Sequence, residues 1–311
     1  MKAIILSAPD TPPAVDEDFP APTPAGNEVL VRVHASSANP VDNAIAAGML
    51  IGMVEHEFPV VLGRDYAGVV EQAGSDVTRY AAGDEVYGFL TAAGPIVHAG
   101  TWAELIAVPE DASIARKPGV DLAAAGAAPL AAVTAMTAID ALGLSEGASM
   151  LLIGATGGVG CFAAQFAADA GATVIAPALA EDEEYLRALG VSELLDRDAD
   201  VAAEVRARHS EGVDALLDLV SSTPDAFDSH AAALRDGGRG ASPNSAAGDG
   251  PGRTNVMGSP SPENLERLAP LLEAGTLTVP IQDSYELARA GEALQVLATT
   301  HTQGKLAIRV V

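Results

Sequence analysis

The chain has 311 residues, 49% of them hydrophobic and 19% charged, which excludes both a minimal module and a disordered chain. Its 17 basic and 42 acidic residues give a net charge of −25, which argues against nucleic-acid binding and against a polybasic membrane patch. Cys161 is the single cysteine, so an intramolecular disulfide, a four-cysteine zinc site and a CxxC redox pair are excluded. The N-terminal segment lacks the basic flank and long apolar core of a signal peptide, so we expect a cytoplasmic protein.

Short β patterns occupy the chain up to about residue 120. Turn residues separate these runs, which are mostly rich in β-branched side chains and therefore predict strands. The predicted strands are MKAIIL, EVLVRVHA, AGVVEQAG, DEVYGFL and WAELIAV. The proline-rich residues 10–24 predict a surface connection, because proline disrupts helix interiors.

From about residue 122, apolar strands alternate with helices, which predicts a parallel sheet covered on both faces. The alanine-rich residues 122–135 predict a buried helix. The predicted strands are then MLLIGA, TVIA, ELLD and DALLDLV, with helices over residues 159–170, 181–189, 199–209 and 224–234. We expect a weak strand at residues 239–241, a long irregular loop over 236–261, and β structure again from Leu277 to the final KLAIRVV. The pattern predicts an α/β domain of residues 122–272 inserted into a β-rich domain of residues 1–121 and 273–311.

The strongest local signal is the loop from Gly154 to Gly160, which follows an apolar strand and precedes a helix. Its glycines allow a tight turn and close approach of the backbone to a ligand. The helix that follows presents free N–H groups and a positive dipole end, which suit a diphosphate. The spacing is G-x-x-G-x-x-G, and the strand–helix–strand context favours dinucleotide binding over a turn with no ligand.

The residues after the second strand leave the choice of dinucleotide open. An acidic residue that reads the ribose is expected about 20 residues past the glycine loop. The strand end Ile175-Ala176-Pro177-Ala178 is neutral, and an acidic run begins at Glu181. Arg187 and Arg197 are the nearest cations in sequence, and each is a candidate for a 2′-phosphate or a solvated surface charge. NADPH is the expected cofactor, with NADH as the alternative.

A series of motifs resembles the zinc-independent quinone oxidoreductase branch, the zeta-crystallin-like enzymes, of the medium-chain dehydrogenase/reductase superfamily. They are Asn39-Pro40-Val41-Asp42, residues 62–70 (LGRDYAGVV), Gly83-Asp84-Glu85-Val86, residues 129–135 (PLAAVTA), the glycine loop, and Gly304-Lys305-Leu306. The resemblance covers essentially the whole chain. It implies an α/β protein with a GroES-like catalytic domain and a doubly wound Rossmann domain, NAD(P)H-dependent reduction of a quinone or α,β-unsaturated carbonyl, and a homodimer. Asn39 and Gly63-Arg64-Asp65 stand where zinc-dependent relatives have a cysteine and Gly-His-Glu, so no catalytic metal is expected.

The resemblance also implies the site residues. Asn39 would face the nicotinamide and substrate, Thr134 would line the nicotinamide side, and Val220 would pack near the adenosine or nicotinamide ribose. Apart from the resemblance, we expect the proton to come from solvent or through a polar group such as Asn39 or Asp42. Together the loop and the resemblance predict a cofactor-binding set of Asn39, Pro40, Thr134, Gly154, Gly157, Gly158, Val159, Gly160, Arg197, Val220 and Lys305. The alternative, purely structural roles are an ordinary turn for Asn39, a helix position for Thr134 and a core position for Val220. Residues 240–244 (GASPN) replace the hydrophobic strand usual in the family and indicate an altered loop on the cofactor side.

Two rival functions remain at this stage. One is a biosynthetic enoyl reductase, and the other is a protein that binds NADPH without turnover. Residues 143–147 (GLSEG) match the G-x-S-x-G hydrolase pattern but precede a strand, whereas a nucleophile elbow follows one.

Overall fold

In the computed structural model, which describes residues 1–91, 94–96 and 98–311, the chain divides into two compact units. The first comprises Met1–Val133 and Ser259–Val311, and the second comprises Thr134–Gly258. These limits differ from those expected from the sequence, 1–121 with 273–311 and 122–272. The reason is that residues 122–127 pack on strands of the first unit and residues 262–273 contact its strand at Ala115–Arg116.

The described elements follow in chain order. The strands are β1 (Ala3–Leu6), β2 (Ala14–Asp16), β3 (Glu28–Ala38), β4 (Val60–Val61), β5 (Asp65–Ala73), β6 (Glu85–Phe89), β7 (Leu105–Pro109), β8 (Ala115–Arg116), β9 (Ser149–Ile153), β10 (Thr173–Ala178), β11 (Glu193–Asp196), β12 (Val213–Asp218), β13 (Leu234–Ser242), β14 (Arg253–Asn255), β15 (Ile281–Glu286) and β16 (Lys305–Arg309). The α-helices are α1 (Pro40–Ala46), α2 (Leu122–Ala127), α3 (Pro129–Leu142), α4 (Gly160–Asp169), α5 (Glu183–Ala188), α6 (Val201–Arg208), α7 (Pro224–Ala231), α8 (Pro262–Glu273) and α9 (Ala290–Thr299).

The first unit is built on a sheet in the order β15-β16-β3-β5-β6-β8, to which β7 adds by pairing with β3. Antiparallel pairs dominate this sheet, and β15 with β16 is a parallel pair. A smaller sheet has the order β2-β1-β4. Side chains alternate along β3 between buried and half-buried, so one face of the long strand covers a core that includes Tyr66 and Trp102. The C-terminal β16 pairs with the end of β3, which places Lys305 beside the strand end that leads to Asn39.

The second unit contains a parallel sheet in the order β11-β10-β9-β12-β13-β14. This order is the doubly wound Rossmann arrangement. The first strand of the unit, β9, is central; the next two strands are added on one side of it and the remaining strands on the other. The central strands β9 and β12 are almost fully buried and β10 is buried in its middle, as a sheet covered on both faces requires. The predicted parallel α/β fold is therefore confirmed.

The structure corrects several predicted elements. Residues 236–261 are not simply an irregular loop, because β13 continues to Ser242 and β14 pairs beside it. The predicted surface connection at residues 10–24 contains β2, and the C-terminal region predicted as β structure also contains α9. The helix predicted over residues 122–135 is divided at Ala128 into α2 and α3. The weak strand predicted at residues 239–241 lies within β13, whereas the local pattern missed β14, a short segment that forms a strand by pairing with β13.

Candidate active site

The predicted site residues fall into two groups, one in each unit. Asn39, Pro40, Asp42 and Lys305 belong to the first unit. The second unit contains Thr134, Gly154, Gly157, Gly158, Val159, Gly160, Arg197 and Val220. Within each group the fold brings residues that are far apart in sequence into contact.

The glycine loop connects β9 to α4 through a compact turn. Gly154 has a positive φ of 85°, a conformation that glycine adopts without strain. The N–H of Gly157 donates to the carbonyl of Gly154 at 3.2 Å, and the N–H of Cys161 donates to the carbonyl of Gly157 at 2.9 Å. The N–H of Ala163 likewise donates to the carbonyl of Val159 at 3.0 Å, so the loop leads directly into the first turn of α4. The turn therefore has the backbone form of an anion-binding loop.

Space around the loop explains which positions must be glycine. A Cβ at Gly160 would lie 2.1 Å from the Gly154 carbonyl oxygen, and a Cβ at Gly154 would lie 2.9 Å from Cγ2 of Val220. A Cβ at Gly157, by contrast, would have Gly154 O at 3.7 Å as its nearest atom. Gly154 and Gly160 are thus required by the protein's own packing, whereas Gly157 leaves room that a ligand can occupy.

The loop lies at the point where the strand order reverses. Ile153, which ends β9, is in register with Asp218, which ends β12. Val220 follows in the turn after β12, and its side chain is 64% exposed. Dinucleotides bind in this type of crevice, outside the carboxyl ends of the strands. The structure therefore places Val220 beside the glycine loop, at the carboxyl end of the strands.

The ribose end of this edge is defined by β10 and β11. Ala178, at the end of β10, is in register with Asp196 at the end of β11, and the exposed Arg197 follows directly. The other candidate cation, Arg187, lies 3.5 Å from Glu183 and donates to the carbonyls of Val191 and Ser192. Arg187 is thus already engaged in holding its own helix end.

Thr134 is 7% exposed on α3, and Gly258 lies against it. A Cβ at Gly258 would be 2.6 Å from Oγ1 of Thr134. The hydroxyl is therefore packed against backbone of the second unit.

The first unit contains a buried polar group of side chains, here termed the Asp65 cluster: Ser37, Asn39, Asp65 and Lys305. Asp65 is 0% exposed and accepts hydrogen bonds from the Ser37 hydroxyl at 2.6 Å and the Asn39 amide at 2.8 Å. Its other carboxylate oxygen accepts the N–H of Leu130 at 2.7 Å. Lys305 donates from Nζ to Oδ1 of Asn39 at 2.6 Å and lies 3.5 Å from Asp65. Both ends of the Asn39 amide are thus engaged inside the protein.

Asp42 and Arg64 are two further buried ionisable side chains of the first unit. Asn39 occupies the N-cap position of α1, Pro40 is the first residue of that helix, and the Asn39 N–H donates to Oδ2 of Asp42 at 2.9 Å. Oδ1 of Asp42 and Nε of Arg64 have no hydrogen-bond partner within the described residues. Burial raises the pKa of Asp42 to about 7, against the opposing effect of the Arg64 charge. Asp42 can therefore hold or release a proton near neutral pH.

Asp42 should make the first unit less stable as pH rises, whereas an ion-paired carboxylate, whose pKa is lowered, makes a protein more stable as pH rises. Between its ordinary value of 3.8 and about 7, the folded chain retains a proton that the unfolded chain has lost. The contribution of Asp42 to stability should therefore fall as pH rises through this window, by at most about 1.4 kcal/mol per pH unit. Asp42→Asn should lack this dependence, so its urea midpoint relative to wild type should rise from pH 5 to pH 7. A difference that stays constant over this range would contradict the assignment.

Several residues at these sites were not identified as site residues from the sequence. Asp65 and Arg64 were noted only as counterparts of metal ligands, although their motif, residues 62–70, marks them as a unit. Tyr185 donates from its hydroxyl to the carbonyl of Thr156 in the glycine loop at 3.4 Å, and burial raises its pKa. Asp218, Ser221 and Asn244 bond the turn that carries Val220, and only the unusual residues 240–244 signalled any of them.

Within residues 1–91, 94–96 and 98–311, no group of three or more His, Cys, Asp and Glu side chains has an arrangement that would hold a metal ion. Among the same residues, no helix combines the length and apolar character needed to span a bilayer.

Comparison with known proteins supports both units. Residues 25–119 match the alcohol dehydrogenase GroES-like domain, and residues 189–308 match the family described as zinc-binding dehydrogenase. The NADPH-dependent alkenal/one oxidoreductase, chloroplastic, of Arabidopsis thaliana is 31% identical over 290 residues, covering 91% of this chain and 72% of that protein. The chloroplast envelope quinone oxidoreductase homolog of the same plant is 29% identical over 307 residues, covering 93% and 92%. The structure of the quinone oxidoreductase from Coxiella burnetii superposes with a TM-score of 0.87 at 28% identity, covering 100% of this chain and 99% of that one.

The fold and the ordered motifs define an oxidoreductase of the medium-chain dehydrogenase/reductase class, with a GroES-like unit and a Rossmann unit. Within that superfamily, the chain belongs to the quinone oxidoreductase branch. The family and the two-domain fold class predicted from the sequence are confirmed.

Proposed function

We propose that this protein is an NADPH-dependent oxidoreductase that transfers a hydride to a quinone or an α,β-unsaturated carbonyl compound without a catalytic metal. The observation that carries the proposal is the glycine loop at the reversal point of the Rossmann sheet, with Val220 beside it. The names of the relatives point to the same substrate classes, namely a quinone oxidoreductase homolog and an alkenal/one oxidoreductase.

The residues present fit a nicotinamide dinucleotide. The cradle formed by Gly157, Gly158, Val159 and Gly160 would hold the diphosphate against the first turn of α4. Bound there, the cofactor would supply the hydride, which is the chemically difficult part of the reaction. The chain's own contribution is to bind and orient the cofactor and to hold a proton. Thr134 remains the proposed contact on the nicotinamide side, and Val220 remains the proposed contact near the adenosine or nicotinamide ribose.

The proton that completes the reduction is assigned to Asp42 or to solvent. Asp42 has an unpartnered Oδ1 and a pKa raised by burial to about 7, so its carboxyl group can be protonated at neutral pH. The catalytic role expected for Asn39 stays a prediction. In this structure the Asn39 amide bonds Asp65 through its nitrogen and Lys305 through its oxygen.

Turnover tests the proposal directly. The purified protein should oxidise NADPH, followed by absorbance, when supplied with 1,4-benzoquinone, 9,10-phenanthrenequinone or an alkenal. Turnover of enones alone would favour the rival enoyl reductase. Binding of NADPH without turnover of any of these compounds would favour the cofactor-binding protein and contradict the enzymatic proposal.

We assign the preference for NADPH to Arg197. No carboxylate occupies the end of β10, where a residue that reads the ribose hydroxyl would stand, and exposed Arg197 follows the neighbouring strand end. A guanidinium suits a phosphate because it donates two parallel hydrogen bonds.

Arg197→Gln should weaken NADPH binding by about 10-fold, equivalent to about 1.4 kcal/mol, and leave NADH binding unchanged. Fluorescence titration with both cofactors measures the two affinities. Arg235→Gln is the matched control, since Arg235 pairs with Asp214 at 2.6 Å near the start of β12, at the opposite edge of the sheet. Equal loss of NADPH affinity in both variants would indicate a general charge effect and refute the assignment.

The homodimer and the cytoplasmic location expected from the sequence remain predictions. Size-exclusion chromatography with light scattering would establish the oligomeric state.

A further inference from the structure

The turn that follows β12 is bonded on both sides by side chains. The N–H groups of Val220 and Ser221 donate to Oδ1 of Asp218 at 3.0 and 2.9 Å. On the other side, Nδ2 of Asn244 donates to the carbonyls of Leu219 at 3.1 Å and Ser221 at 3.3 Å. The N–H of Leu219 donates to the carbonyl of Ile153 on the neighbouring strand at 3.1 Å. This short turn is therefore held by bonds from three separate parts of the second unit.

Asp218 is a buried carboxylate at the centre of this arrangement. It is 0% exposed, and its Oδ2 accepts the Ser221 hydroxyl at 2.7 Å and lies 2.8 Å from Nδ1 of His230. Burial opposes ionisation, but the hydrogen bonds from His230, Ser221 and Val220 outweigh it and lower the pKa of Asp218. An ionised carboxylate with four donors is a rigid anchor, because moving it would leave buried charge unsatisfied.

Asn244 belongs to the segment in which this chain departs from the family pattern, residues 240–244. The N–H of Asn244 bonds Oγ of Ser242 at 3.2 Å, at the end of β13, so the amide is supported from its own strand. Its two donated bonds are made by a single NH₂ group, and an oxygen in that position would face two carbonyl oxygens. The bonding of the turn therefore depends on the amide nitrogen.

The bonds from Asp218 and Asn244 fix the position of Val220. Its side chain is 64% exposed, although the backbone on either side is held tightly, and its Cγ2 stands 2.9 Å from where a Cβ at Gly154 would lie. The acidic residue that reads the adenosine ribose in such folds stands on the β10 side, and the dinucleotide crosses the reversal point. Val220 therefore faces the half of the crevice that receives the nicotinamide and its ribose.

We propose that Asn244 and Asp218 are positioning residues that hold the Val220 turn as a rigid wall for the nicotinamide half of the dinucleotide. The inference rests on the proposed function, since it requires a nicotinamide dinucleotide at the glycine loop. Asn244 and Asp218 act through Val220, so their effect is confined to ligands that extend past the diphosphate.

The test compares NADPH with 2′,5′-ADP, which carries the adenosine half alone. In Asn244→Asp, a carboxylate oxygen would face the carbonyls of Leu219 and Ser221, and the turn should open. Titration calorimetry should then show NADPH affinity reduced about 10-fold and 2′,5′-ADP affinity within about twofold of wild type. Asn255→Asp is the matched control in the same unit, because its Oδ1 continues to accept the N–H of Ala247 and the bond it loses, from Nδ2 to the carbonyl of Gly248 at 3.4 Å, lies outside the Val220 turn. This control should bind both ligands as wild type does.

A second variant keeps the test independent of folding. Val220→Ala removes the two methyl groups proposed to contact the nicotinamide half and leaves every bond of the turn in place. It should lower NADPH affinity several-fold and leave 2′,5′-ADP affinity unchanged. Equal effects of Asn244→Asp on both ligands, or none on either, would overturn the positioning role while leaving the proposed function intact. Wild-type protein that binds neither ligand would overturn the proposed function, and this inference with it.

Discussion

Replacing Gly157 by alanine should weaken NADPH binding by about 30-fold or more, equivalent to about 2 kcal/mol, with the fold unchanged. The added Cβ fits the protein itself, since its nearest neighbour is the Gly154 carbonyl oxygen at 3.7 Å, and Gly157 does not require a positive φ. The methyl group would instead stand between the diphosphate and the N–H groups at the start of α4. Fluorescence titration with NADPH and a thermal melt by circular dichroism measure the two quantities.

Two other glycines provide matched controls for this experiment. Gly291→Ala places a methyl group in open space on α9 and should alter neither NADPH affinity nor melting temperature. Gly160→Ala brings a Cβ within 2.1 Å of the Gly154 carbonyl oxygen and should lower both. A Gly157→Ala protein that binds NADPH with wild-type affinity would refute the placement of the diphosphate.

Asp65→Asn should lower the free energy of unfolding of the first unit by about 3–5 kcal/mol. The substitution leaves Lys305, which is 3% exposed, without its buried anion and removes an acceptor that serves Ser37 and Asn39. Trp102 is the only tryptophan, is fully buried in the first unit and donates to the carbonyl of Ser37 at 3.3 Å. Its fluorescence during urea denaturation therefore reports on the region that the substitution disturbs.

The same strand offers a control for the Asp65 prediction. Glu71 on β5 pairs with Arg32 at 2.5 Å, with side chains 34% and 39% exposed, so Glu71→Gln should cost less than about 1 kcal/mol. The double variant Lys305→Met with Asp65→Asn should lose less free energy of unfolding than the two single variants added together. The reason is that each substitution removes the charge that the other one leaves unpaired. Equal costs at Asp65 and Glu71 would mean that the buried cluster contributes no special stability.

The glycine loop shows why part of the site was predictable from the sequence. Its strand, turn and helix are consecutive, so residues 149–169 contain both the binding backbone and the context that identifies it. The same holds for the capping of α1 by Asn39 and Asp42, which lie three residues apart. Among the elements that were missed, β14 has a weak local pattern and forms by pairing with β13, whereas α8 and α9 contain helix-forming residues with apolar side chains at helical spacing and could have been predicted from their own sequences.

The Asp65 cluster and the Val220 turn were not predictable in this way. Lys305 and Asn39 are separated by 266 positions, and they meet because β16 pairs with the end of β3. Asn244 reaches the turn after β12 because β13 lies beside that strand. A sequence pattern records neighbours along the chain, whereas these contacts depend on strand order and register.

The sequence by itself determined the family and the two kinds of unit, and it predicted the loop proposed to hold a diphosphate, because these depend on short, ordered motifs. Only the tertiary structure decided that Asp42 and Arg64 are both buried, that both ends of the Asn39 amide are engaged, and that Val220 is exposed on a tightly bonded turn. Burial and hydrogen bonding set the charge and mobility of a side chain, and both arise from residues that folding brings together from distant parts of the chain.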